Sequence, residues 1–69
     1  MENSVLKVDG MSCEHCVKAI TKAVGALDGV DNVKVDLNQK TVTVIHDEAK
    51  ASLNKIKLEI EYQGYDIIS

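Results

Sequence analysis

The sequence predicts a small α+β sandwich, an antiparallel four-stranded sheet with two helices on one face, and three observations carry that reading. Apolar residues recur at helical spacing in two stretches, Val17, Ile20, Val24 and Leu27, then Leu53, Ile56 and Ile60. Between them the pattern changes to strict alternation, at Val33, Val35 and Leu37 and again at Val42 and Val44. Turn-forming pairs, Asp9-Gly10, Asp28-Gly29 and Asn38-Gln39, punctuate these stretches.

The first element is a strand over Val5 to Val8, with Lys7 interposed, that stops at Asp9-Gly10. An amphipathic helix follows, with Lys18 and Lys22 opposite its apolar stripe. Ser12 is its expected N-cap, and Gly25 and the Asp28-Gly29 turn mark its end, so Cys13 and Cys16 fall at its beginning. The alternating residues on either side of Asn38-Gln39 form a hairpin with one buried face. Ser52 caps a second helix, Gly64 stands where a helix end wants a left-handed residue, and Tyr65 to Ile68 is a short last strand. Strand, helix, strand, strand, helix, strand folds compactly as a ferredoxin-like βαββαβ sandwich, one domain over residues 1–69. That architecture also serves RNA-binding and enzymatic domains, so it does not assign a function.

A chain of 69 residues has room for one thin core, because a domain of this size buries only about 60% of its unfolded surface. Apolar residues make up 45% of it, and with no Phe, Trp or Pro the interior falls to Val, Ile, Leu and Ala. Glu2, Lys7 and Asp9 leave no apolar run at the start for a signal peptide or membrane helix, so a soluble cytosolic protein is expected. The chain begins with methionine just before the first strand and ends just after the last, which suits a complete small protein. A net charge of −3 gives no electrostatic reason to expect nucleic acid or an anionic membrane as partner.

Two cysteines three residues apart remain to be explained. A disulfide closing so short a loop constrains the unfolded chain very little, and stabilising disulfides are rare in the cytosol. Metal binding or redox work is the expected use. With Cys13 on the loop and Cys16 in the first helical turn, both sulfurs reach one ion. The helix end favours thiolates there and stabilises the net negative charge of Cu(I) held by two of them. Structural zinc is nearly always held by four ligands, whereas soft thiolates suit Cu(I). His15 would make only three, and its place between the cysteines turns its ring away from them. Gly10 lets the loop reshape as metal enters and leaves, so the open site suits transfer rather than storage.

Blander and competing readings stand beside this one. The cysteines could be semi-buried small hydrophobes, or a dithiol redox site at a strand-to-helix junction as in thioredoxins. Against the latter, the chain is too short for that fold and has no proline to face the site. Haem attachment needs histidine where Val17 stands. RNA binding on the sheet needs aromatic strands, yet the only aromatics are Tyr62 and Tyr65. No catalytic residue is singled out, and an enzyme is not expected. His15 reads as a solvated loop histidine, with an occasional third ligand or proton-sensitive neighbour of the site as the alternative, and His46, at a strand end, as a surface residue. Lys18 and Lys22 are either a solvated face, with Glu14 placed for a weak ion pair to Lys18, or a basic strip for docking.

The segment Gly10-Met11-Ser12-Cys13-Glu14-His15-Cys16 resembles the metal-binding loop of heavy-metal-associated domains, and of bacterial CopZ-type copper chaperones in particular, over the whole chain. Gly64-Tyr65-Asp66 resembles the loop that brings a tyrosine beside the metal in the bacterial members. The resemblance implies Cys13 and Cys16 as metal ligands, with supporting places for Met11, packed under the loop, and for Tyr65; Ser12, as the expected cap, and His15, between the cysteines, are the other supporting candidates. It implies Cu(I) as cargo, passed by thiolate exchange to a copper-transporting P-type ATPase or a copper-responsive regulator, and a copper-bridged homodimer as a further state. A metal-binding domain of such an ATPase would share the same chemistry. One departure is Lys57-Leu58, where the family more often has a small and then a polar residue; it leaves Leu58 as an exposed apolar residue available to a partner.

Overall fold

The expected order of elements is present, as β1 (Glu2–Asp9), α1 (Glu14–Gly25), β2 (Val30–Asp36), β3 (Thr41–His46), α2 (Leu53–Tyr62) and β4 (Asp66–Ile67). The computed structural model describes residues 1–11 and 14–68. The strands make one antiparallel sheet in the order β2-β3-β1-β4, with β3 and β1 central. Period-two alternation decides which side chains go inward: Leu6 and Val8 from β1, Val42 and Val44 from β3. Ile20 and Val24 of α1 and Ile56 and Ile60 of α2 close over them in one core cluster. Burial of each such side chain contributes about 1.5–3 kcal/mol.

The ends of the elements differ from the sequence reading for identifiable reasons. β1 begins at Glu2 rather than Val5, because Glu2, Asn3 and Ser4 find register partners in His46, Ile45 and Val44 of β3. β2 begins at Val30, ahead of the alternating run, through a bulge between Val30 and Asn32 that the period-two pattern conceals. Leu27 lies past the end of α1, yet it still packs against the core. β4 keeps only two residues, paired as Ile67 with Val8 and Asp66 with Asp9. The cap expected at Ser52 is present, its hydroxyl accepting from Lys55 N–H at 3.3 Å. Gly64 has φ +94°.

Two side-chain expectations are corrected. His46 is not a surface residue but wholly buried, because the inward alternation of β3 runs on from Val44 to the strand end. Its Nδ1 lies 2.7 Å from the Ala51 carbonyl oxygen, which only accepts, so Nδ1 carries the proton and Nε2 faces the Ser4 hydroxyl at 2.9 Å. The Glu48 carboxylate stands 3.5 Å from Nδ1. Among the described residues Glu14 and Lys18 form no ion pair; both are exposed, where such a pair contributes little.

Candidate metal centre

β1 delivers the chain to the site, and its last residues are held from both sides. Val8 N–H donates to the Lys40 carbonyl of the β2–β3 turn at 2.9 Å, and Ile68 N–H donates to the Lys7 carbonyl at 2.8 Å. Gly10 then turns the chain at φ +94°, a conformation that a side chain would strain. A Cβ there would meet the Tyr65 ring at 3.5 Å, so the aromatic residue following α2 borders the loop. Met11 is buried, 6% exposed, in the core cluster.

Cys16 is the third residue of α1, inside its first turn, half-buried and packed against the core. It therefore lies where amide N–H groups have no carbonyl partner within the helix and the macrodipole is positive. Glu14 is the acidic residue of that turn, and His15, exposed beside it, belongs to the helix rather than to a loop. The cap expected at Ser12 and the ligand expected at Cys13 fall outside the described residues. Among the described residues no three His, Cys, Asp or Glu side chains gather to share an ion, so they do not assemble the four-ligand set of structural zinc.

Next to the site, the first two turns of α1 and the end of β2 leave an open groove lined by Val17, Val35 and Leu37, with Lys18 and Lys34 and the acidic Glu14 and Asp36 beside them. Lys22 continues the exposed basic line along α1. Sequence reasoning found Lys18 and Lys22 but missed Lys34, whose outward position was legible while its nearness to α1 depended on the crossover between α1 and β2. Tyr65 is half-buried against the core and Gly10, whereas Tyr62, four positions from Leu58, is 82% exposed.

The heavy-metal-associated domain family matches residues 5–66. The copper chaperone CopZ of Bacillus subtilis is 51% identical over 67 residues, 97% of each chain. Among solved structures, a CopZ metallochaperone superposes with a TM-score of 0.95 at 39% identity, covering 97% of this chain and all of that one. The N-terminal soluble domains of Bacillus subtilis CopA superpose with a TM-score of 0.91 at 31% identity, over 97% of this chain and 46% of that one.

Proposed function

Because the chain belongs to the heavy-metal-associated domain family and is not an enzyme, we propose that it is a cytoplasmic copper chaperone that carries Cu(I) on Cys13 and Cys16. The observation that carries this reading is the position of Cys16, in the first turn of α1 beside a loop bordered by Gly10 and Tyr65. The residue types fit the cargo. Two soft thiolates match Cu(I), and the helix end favours their charged forms and the net negative charge of the loaded site. Met11 supports the loop from the core, and Tyr65 shields one side of it. His15, exposed in the first turn of α1, stands by as a neighbour rather than a ligand, and Ser12 keeps the supporting place that its residue type suggests. The 69 residues act as one domain.

Transfer proceeds by thiolate exchange. An incoming acceptor thiolate forms a bond to copper as one of the chaperone's sulfur–copper bonds breaks, and repetition of the step moves the ion without change of oxidation state. The acceptor is a metal-binding domain of a copper-transporting P-type ATPase, in keeping with the likeness to the CopA domains, or a copper-responsive regulator. A copper-bridged homodimer is the same exchange intermediate formed between two copies. Lys18 and Lys22, with Lys34 across a groove that Glu14 and Asp36 also line, present three exposed ammonium groups that orient an acceptor with acidic residues near its own cysteines. The likeness to the CopA domains also favours a second reading, in which the chain serves as the metal-binding domain of such a pump; its ligand chemistry is the same.

The test is an anaerobic Cu(I) titration against a competing chelator, repeated with zinc. The native chain is expected to hold one Cu(I), with Cys13→Ser and Cys16→Ser each abolishing tight binding while the circular dichroism spectrum is kept. A double serine variant that still retained one copper would refute the site.

A further inference from the structure

The outward face of α2 is not explained by the metal site. Five of its residues, Asn54, Lys55, Leu58, Glu61 and Tyr62, are exposed, on the side away from the buried Ile56 and Ile60. Leu58 stands at the middle of that face, 56% exposed, and Tyr62 lies one turn further on at 82%. With Glu61 these two line a shallow apolar depression. Among the described residues neither Lys55 nor Glu61 enters an ion pair within the chain.

We propose that this face is a docking surface for a second copy of the chain, with the two α2 helices packed antiparallel about a two-fold axis beside Leu58. Helical geometry makes the face complementary to itself in that arrangement. At about 100° per residue, Lys55 and Tyr62 fall on one flank of Leu58, and Asn54 and Glu61 on the other. A two-fold axis across an antiparallel pair keeps each flank on its own side and reverses the height. With a rise of about 1.5 Å per residue, Lys55 stands about 4.5 Å to one side of the axis and the second copy's tyrosine about 6 Å to the same side. An ammonium thus meets an aromatic ring, an attractive pair. On the other flank the Asn54 amide, a donor, comes level with the carboxylate of the second copy's Glu61, an acceptor. Leu58 packs on its own equivalent at the centre. Among the five exposed residues no like charges are brought level, and Lys55 and Glu61 cancel on each face; Lys57 and Glu59, about 100° round the helix from Leu58, lie at the margins of the contact.

Five residues a side is well short of the roughly 800 Å² per partner of a stable complex, so the pairing is weak and fast and is read at millimolar protein. It does not use copper. Because the helices run in opposite directions, the two metal loops sit at opposite ends of the pair, each open to an acceptor.

The experiment is sedimentation equilibrium of the reduced, full-length chain from about 0.05 to about 3 mM with a Cu(I) chelator present, which removes copper-bridged species. Expected are a weight-average mass rising towards that of a dimer, loss of the rise in Leu58→Asp, and dissociation at least about tenfold easier in Lys55→Ala. Amide shifts in the native chain should change with concentration over residues 54–62. Both substituted residues are solvent-exposed, and unchanged thermal unfolding of the variants verifies that they fold. A native chain that stays monomeric throughout overturns the proposal and leaves the face to a different protein. Self-association that Leu58→Asp does not weaken also overturns it, and moves the contact to another surface such as the β2 edge.

Discussion

The two ends of the sheet are built to different standards. At the end remote from the metal loop, His46 ties the end of β3 to Ser4 of β1 and to Ala51 ahead of α2 with no solvent exposure. Around it Asp47 N–H donates to Gly29 at 2.7 Å, Ala51 N–H donates to Asp47 at 2.7 Å, and the Glu48 and Ser52 side chains accept from the first N–H groups of α2. At the loop end, β4 contributes two residues, one of which sets Asp66 directly opposite Asp9. Like charges so placed repel. The Lys40 ammonium, 4.0 Å from Asp9 with both side chains more than half exposed, compensates only weakly. The difference teaches where a substitution should cost most: the remote end is tied by a wholly buried side chain, whereas the side-chain bonds described at the loop end, Asp36 accepting from Asn38 and Gln39 N–H and Lys40 beside Asp9, lie at exposed positions.

This contrast can be broken or sharpened by substitution, starting with the largest expected effect. His46→Ala leaves a cavity and strips the Ala51 carbonyl of its donor, and should cost about 3 kcal/mol. For a domain of this size each kcal/mol lowers Tm by roughly 4–8 °C. Thermal unfolding of the metal-free chain measures the loss, and chelator competition should find Cu(I) affinity retained. A comparable fall in affinity would mean that the two ends are coupled.

Gly29→Ala comes next. Gly29 has φ +98°, and a Cβ there would lie 2.5 Å from Lys50 Cβ, so backbone must shift as well as strain. A loss of about 2 kcal/mol is expected in urea unfolding, again without effect on copper. Ser52→Ala removes the helix cap and should cost about 1 kcal/mol, read as a lower midpoint at an unchanged m-value.

The loop end should behave in the opposite way. Lys18→Glu with Lys22→Glu alters exposed side chains, so stability should move by no more than about 0.5 kcal/mol. Copper transfer to an acidic acceptor domain should nevertheless slow several-fold at low salt in stopped flow, and added salt should bring the native chain towards the variant. Equal rates at low salt would reduce the basic line to a solvated face.

What was legible in the sequence follows the same division. Elements with one buried and one exposed face announce themselves, and so α1, the β2–β3 hairpin and the capped α2 could be read from Ile20, Val35 and Ser52 and their neighbours. Cys13 and Cys16 could be singled out as candidate ligands because their residue type and spacing are chemically specific, although of the two only Cys16 lies among the described residues. His46 was not, since nothing in a strand-end histidine reveals that Ser4 and Ala51, 42 residues earlier and five later, will converge on its two nitrogens. The bulge at the start of β2 was hidden because an inserted residue breaks the alternation that strand reading depends on. Lys34 was visible as an outward residue but not as a neighbour of Lys18, which only the packing of α1 against β2 makes it.

The placement of the two tyrosines gives the chain an optical property of its own. With no tryptophan in the sequence, Tyr62 and Tyr65 alone account for its near-ultraviolet emission. The Tyr62 ring is 82% exposed on α2, facing water, whereas Tyr65 is half-buried with its ring edge against Gly10. In the metal-free monomer the first is a constant background and the second a fluorophore built beside the loop. With Cu(I) carried as proposed, changes in emission as the ion is added or withdrawn would report on the loop itself, without a label.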